Sequence, residues 1–226
     1  MKILPFKYKI AENKIFKNER EIDISEYSAI GIIGRIGSGK STLIKLLIDY
    51  ELSVVRAFDE YNFSAYLSQD LTRLFVGNTL GSIIKLYEND EHEIGKHFNK
   101  KLFLKYIKML ELKIDDKLNR RLIDFSIGEA QRIAIALTSA TISKIVVFDE
   151  PTTALNSHYL DIFYSIVDEI KNRSKVFIIS HNFLDILKTS DYILWIDELE
   201  IKDDFIIQEI LENEKIKSYY SYSKKI

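Results

Sequence analysis

The stretch Gly34-Arg35-Ile36-Gly37-Ser38-Gly39-Lys40-Ser41-Thr42 lies between two apolar runs, Ile30-Gly31-Ile32-Ile33 before it and Leu43-Ile44-Lys45-Leu46-Leu47-Ile48 after it. That order predicts a buried strand, a glycine turn and a helix. The spacing G-x-x-x-x-G-K-S/T is that of a phosphate-binding loop. Its glycines let the backbone curl until successive N–H groups point inward. The helix that follows adds the positive end of its dipole. Lys40 supplies a full charge for terminal phosphates, and the Ser41 hydroxyl is placed to ligate Mg²⁺. Because the strand and helix that the loop requires are both present, a chain with this stretch is expected to bind a nucleoside triphosphate.

Bulk properties narrow the classes around that expectation. With 226 residues the chain can bury a sizeable core. A formal charge of -2 argues against a strong nucleic-acid field, so no direct nucleic-acid contact is expected. The absence of cysteine removes disulfides, thiol catalysis and thiolate metal sites. The N-terminal residues lack the apolar stretch of a signal peptide, and no run approaches the length of a membrane span. The expected location is cytosolic.

Hydrophobic patterning predicts strands over residues 2–10, 14–17, 21–25, 29–34 and 63–67, with a weaker candidate at 52–58. A helix is expected over residues 39–50. From about 79 to 117 the spacing of Phe98, Leu102, Phe103, Tyr106, Ile107 and Leu110 turns helical, which reads as a small helical insertion. A helix rich in Ala and Ile follows over 129–141. The run Ile145-Val146-Val147-Phe148 leads straight into Asp149-Glu150-Pro151. Further on come a helix (158–171), a strand (176–179) ending at Ser180-His181, a short helix (183–188) and a strand (192–196). From about Asp203 the tail reads as one amphipathic helix, frayed near residues 218–223. Continuous apolar strands alternating with helices predict a parallel sheet covered on both faces, with ligands at the strands' carboxyl ends. Gly34, Asp149-Glu150 and Ser180-His181 all end strands at that edge, so these residues are expected to converge.

Asp149 leaves its strand after four apolar residues, which suits it to hold Mg²⁺ opposite Ser41. Glu150 beside it is placed to polarise an attacking water. His181 ends the next strand and is a candidate for a γ-phosphate contact or a Glu150 partner. Gln69, after the strand at 63–67, could reach the metal or the water.

Taken in order, these residues resemble the nucleotide-binding domain of ABC ATPases over nearly the whole chain. Gly34 through Thr42 are similar to the Walker A motif, Gln69 to the Q-loop, and Ile145 through Glu150 to Walker B with its catalytic glutamate. Ser126-Ile127-Gly128-Glu129-Ala130-Gln131-Arg132 resembles the signature motif, Ala154-Leu155-Asn156 the D-loop, and His181 the switch histidine. Tyr8 lies about where the family places an aromatic that stacks on adenine, with Phe6 and Phe16 as rivals.

The resemblance implies a P-loop NTPase core, an N-terminal antiparallel β subdomain and an inserted helical subdomain. The core with its β subdomain would cover about 1–78 and 143–226, and the helical part about 79–142. It also implies ATP and Mg²⁺ as ligands, with Ser41, Gln69 and Asp149 at the metal and Glu150, His181 and Gln69 in hydrolysis. Two such domains, as homodimer or heterodimer, would sandwich ATP between one Walker A and the other's Ser126, Gly128 and Glu129.

Two residues depart from the family pattern. Ile127 stands at a usual glycine, where a β-branched residue resists positive φ and adds bulk. Asn156 replaces the usual aspartate. Both departures suggest an impaired half-site and a heterodimer.

With no membrane span of its own, the chain reads as the separate ATPase subunit of a transporter, peripheral on the inner face of the cell membrane. Integral membrane subunits would be its partners, docking near Leu71, Leu74, Phe75 and Val76. The rivals are a soluble ABC ATPase acting on nucleic acid or the ribosome, and a P-loop kinase of a small molecule. Charge and the absence of a second cassette or a long coiled coil weigh against the first. The signature and the Walker B glutamate weigh against the second.

Overall fold

Pro5, which has no N–H to give a ladder, splits the N-terminal alternation into two strands. β1 (Lys2–Ile3) turns to pair antiparallel with β4 (Ile22–Asp23), while β2 (Phe6–Ala11) forms a hairpin with β3 (Lys14–Asn18). The rings of Phe6 and Phe16 meet across that hairpin at 5.3 Å. The computed structural model describes residues 1–60, 62–71, 79–89 and 91–210, with only the backbone of Tyr50 and Ile210. Leu74, Phe75, Val76 and residues 218–223 lie outside the described residues. The chain divides into two units, Met1–Asn62 with Phe177–Ile226, and Phe63–Val176.

In the first unit β5 (Ala29–Ile33) is buried at every position, as its unbroken apolar run requires of a strand covered on both faces. α1 (Lys40–Ile48) follows the glycine turn. The stretch at 52–58 is not a strand. Residues Tyr50–Val55 form a 3₁₀ turn that starts where the Asp49 side chain accepts from the Glu51 N–H. Only Phe58 makes a bridge, to Ile3. β-branched composition misleads here because Val54, at 83% exposure, has nothing to pack on.

The second unit begins with β6 (Ser64–Leu67). Helices α2 (Leu80–Tyr87), α3 (Glu93–His97) and α4 (Lys100–Met109) fill the stretch that reads as helical. Phe103, Tyr106 and Ile107 turn inward from α4 with its lysines outside. α5 (Ile127–Ala140) is buried along most of its length. β7 (Ile145–Asp149) pairs parallel with β6. α6 (Ser157–Lys171) sends Phe163 edge-on against Phe148, with centroids 5.3 Å apart.

β8 (Lys175–Ile179) carries the chain back into the first unit, followed by α7 (Phe183–Thr189) and β9 (Tyr192–Asp197). The tail then departs from expectation. β10 (Glu200–Ile206) is a strand antiparallel to β9, and among the described residues of the tail the helix is the single turn α8 (Ile207–Ile210). Glu200 pairs with Asp197 around a two-residue turn in which Glu198 (φ 48°) and Leu199 (φ 60°) are both left-handed. Such turns normally carry Asn or Gly, so the hairpin had no sequence signal. A register shift between Ile201 and Asp203 interrupts the strand alternation, so buried Ile201 and Phe205 stand four apart with no buried residue between them, which mimics a helix face.

Strands of the first unit follow the order β2-β3-β10-β9-β5-β8, with β5 parallel to β9. The sheet is mixed and mostly parallel at its buried centre, as in P-loop NTPases of the ABC type. No helix among the described residues is long and apolar enough to cross a membrane.

Candidate functional site

Three glycines with positive φ shape the loop between β5 and α1. At Gly34 (φ 154°) an added Cβ would lie 2.1 Å from the Ile196 carbonyl, and at Gly39 (φ 113°) 2.8 Å from the Phe16 ring. Backbone and ring therefore press directly on the loop, and no side chain fits at either point. The β9–β10 turn braces it as well, because the Leu199 N–H donates to the Ser38 carbonyl at 3.1 Å. Nothing in the sequence reading pointed to Leu199.

Lys40 is buried and folds back over the loop. Its Nζ donates to the carbonyls of Gly34 at 2.7 Å and Arg35 at 2.9 Å. Gly39 gives α1 no side-chain cap, so the first-turn N–H groups are left to an anion. Ser38 is buried, and its Oγ has no hydrogen-bond partner among the described residues. Arg35, Ile36, Gly37 and Ser41 are exposed, and Thr42 is half-buried. This cradle suits phosphate. Phe6 and Phe16 are buried in the strand packing, whereas Tyr8 is half-exposed beside them.

His181 follows β8 in the same unit. Partial burial lowers its pKa below the usual imidazole value, and the Lys40 charge lowers it further. The residues on either side of it are tied down. Ser180 Oγ donates to Asp185 Oδ2 at 2.7 Å, and Asn182 Nδ2 donates to Asp185 Oδ1 at 3.1 Å. Asp185 is completely buried. Ser180 was placed with His181 at the strand end, but Asn182 and Asp185 were not singled out from sequence. An acid four residues after the histidine, on the next helix, is their only trace there.

In the second unit Asp149 and Glu150 are both buried where β7 ends. The Tyr66 hydroxyl donates to Asp149 Oδ2 at 3.2 Å. Glu150 adopts φ 53°, a left-handed backbone that costs a residue with a side chain about 1–3 kcal/mol. Strain of this kind collects where a side chain must be aimed. Thr153 Oγ1 donates to the Glu150 carbonyl at 3.2 Å and helps hold the turn. A cavity of about 690 Å³ is lined by Gln69, Ile123, Phe125, Ile127, Glu150 and Ala154, so Gln69, Glu150 and the start of α5 come together.

Ser126 caps α5 in a reciprocal box. Its Oγ accepts from the Glu129 N–H at 3.2 Å, and its own N–H donates to Glu129 Oε2 at 3.1 Å. Lys117, 2.7 Å from Glu129 Oε1, and then Ser126 hold the Glu129 carboxyl down at about 2. Ile127 is the first residue of α5 with helical backbone, so the expected positive-φ strain does not arise. Its bulk remains, for the side chain is 76% exposed. At Gly128 an added Cβ would stand 3.0 Å from the Ala154 carbonyl. Asn156 caps α6 by accepting from the Tyr159 N–H, a task asparagine performs as well as aspartate.

Comparison with known proteins agrees with the fold. The sequence profile of the family described as ABC transporter matches residues 18–153. The lacticin-481/lactococcin-DR transport/processing ATP-binding protein lcnDR3 of Lactococcus lactis subsp. lactis is 29% identical over 215 residues, covering 90% of this chain and 30% of that protein. The ABC transporter ATP-binding protein NatA of Bacillus subtilis (strain 168) is 26% identical over 226 residues, covering 90% of this chain and 88% of NatA. The chain thus spans about a third of the first relative and most of the second. Among solved structures, the ATP-binding cassette MJ0796, a dimer in a post-hydrolysis state bound to ADP and Pi, superposes with a TM-score of 0.67. It is 20% identical, covers 92% of this chain and 99% of its own, and speaks for the fold. A profile match over more than half of the chain, running from residue 18 through the glycine loop to beyond Asp149 and Glu150, establishes that this protein belongs to the ABC transporter family and is a P-loop ATPase.

Proposed function

We propose that the chain is the ATP-hydrolysing subunit of a membrane transporter and pairs with a second ABC ATPase subunit around two ATP. The observation that carries this reading is the phosphate cradle, where Lys40 lies across Gly34 and Arg35 at an uncapped helix start in a chain of this family. Relatives named as export, import and transport ATP-binding proteins support the transport role.

In this reading residues 34–42 hold the triphosphate and Tyr8 stacks on adenine. Mg²⁺ suits the hard oxygen donors Ser41, Gln69 and Asp149, and when bound it supplies neutralising charge at the phosphates. Glu150 takes the proton of the attacking water, and His181, kept neutral by its surroundings, contacts the γ-phosphate. Ser126, Gly128 and Glu129 close over the partner's nucleotide. The helical part at about 79–142 carries that face, while about 1–78 and 143–226 form the core. Integral membrane subunits hold the assembly at the inner face of the membrane.

Glu150→Gln tests the scheme. The variant should bind ATP, elute as a dimer only when ATP is present, and turn over at under about 1% of wild type. A monomer in saturating ATP would remove the sandwich, and near-normal turnover would remove Glu150 from its role. Co-purification with a detergent-requiring partner tests the transport role.

A further inference from the structure

The loop that presents His181 is anchored on both sides by one buried carboxylate. Ser180 is 2% exposed and donates to Asp185 Oδ2, and its Oγ also accepts from the Asn182 N–H at 3.0 Å. Asn182 donates to Asp185 Oδ1 with one end of its amide, while the other end caps α7 by accepting from the Leu184 N–H at 3.1 Å. Thr189 Oγ1 donates to the Asp185 carbonyl at 2.6 Å and ties the far end of α7 to the same residue. Asp185 itself is 0% exposed. Burying a carboxylate is costly unless its oxygens are satisfied, so this group holds its donors firmly. Both donors flank His181, which leaves the imidazole little freedom of backbone direction.

We propose that Asp185 is a positioning residue for His181, acting through Ser180 and Asn182, and that its contribution to turnover is made wholly through the imidazole. This rests on His181 serving in hydrolysis. Near-attack geometry is lost with shifts of about 1 Å, so loosening this anchor should lower the rate without weakening nucleotide binding.

The test is a set of steady-state ATPase measurements on Asp185→Asn, His181→Ala, the pair combined, and the exchange Asn182→Asp/Asp185→Asn. Asp185→Asn turns one of the facing acceptors into a second donor and should cut kcat at least tenfold with KM for ATP within twofold. The exchange restores the donor–acceptor match with the partners reversed, and should recover kcat to within about threefold of wild type. In the His181→Ala background, Asp185→Asn should cost nothing further.

Full activity of Asp185→Asn beside a dead His181→Ala would overturn the positioning role alone. So would an Asp185→Asn loss that persists in the His181→Ala background, or a failure of the exchange to rescue. Normal turnover of His181→Ala would instead overturn the role of the histidine, and this inference with it. If Asp185→Asn alone does not fold, the folded exchange variant still decides between rescue and failure.

Discussion

The Tyr66 hydroxyl donates to Oδ2 of Asp149 at 3.2 Å, from the strand β6 that runs parallel to β7. In the register of that pair Tyr66 stands opposite Val147, two residues before Asp149, so the phenol reaches along the strand to the carboxylate. This bond aims the oxygen proposed to hold Mg²⁺. Tyr66→Phe keeps the ring and removes the donor. A hydrogen bond to a charged group contributes about 1.5–3 kcal/mol, so the Mg²⁺ concentration for half-maximal ATPase should rise by about tenfold or more. ATP binding without Mg²⁺ should stay within twofold. An unchanged Mg²⁺ dependence would release Tyr66 from this role.

Gly39 packs against Phe16 at a φ only glycine tolerates well. Gly39→Ala should destabilise the protein by about 1–3 kcal/mol and abolish detectable nucleotide binding. Thermal unfolding and titration calorimetry measure the two effects separately. A variant that still binds ATP normally would show that the loop can move away from Phe16.

Ile127 projects into solvent at the start of α5, where the proposed partner's nucleotide would sit. If its bulk impairs that half-site, Ile127→Gly should raise the ATPase rate of the lone protein several-fold. Because the backbone there is helical, the gain would come from removed volume rather than relieved strain. No gain from glycine would count against impairment.

Glu129 has a folded pKa of about 2 against an ordinary value of 4.5. A depressed carboxyl stabilises the fold above its unfolded pKa. That contribution is fully present above about pH 4.5 and disappears as pH falls toward 2. Glu129→Gln keeps an acceptor for the Ser126 N–H but loses the charge facing Lys117. The stability gap between wild type and variant should therefore be constant from pH 8 to 5 and close between pH 4.5 and 2. High salt should narrow it, since the pair is partly exposed. Denaturant midpoints at several pH values check both trends.

The placing of the candidate site residues was legible because they sit at strand ends and helix starts, where local pattern gives position directly. Walker A, Asp149-Glu150 and Ser180-His181 all follow apolar runs that are strands here, with ends within a residue or two of expectation. Errors fell where contacts between distant residues outweighed local preference. Val54 lacked a packing surface, and the Glu198-Leu199 turn took left-handed backbone without glycine. The supports Tyr66, Lys117 and Leu199 belong to no local pattern, because each reaches a candidate residue or its loop through a contact the fold creates, whereas Asp185 lies three and five residues from its partners.

The order of amino acids, taken alone, determined the glycine loop, the family and the placing of most strands and helices around them, because glycine freedom and apolar periodicity act over a few neighbouring residues. Tertiary structure alone decided that Phe16 and Leu199 brace Gly39 and Ser38, that Asp185 is wholly buried, and that Tyr66 reaches Asp149. Each of those outcomes depends on burial and on partners brought close by folding, and neither quantity is a property of the local chain.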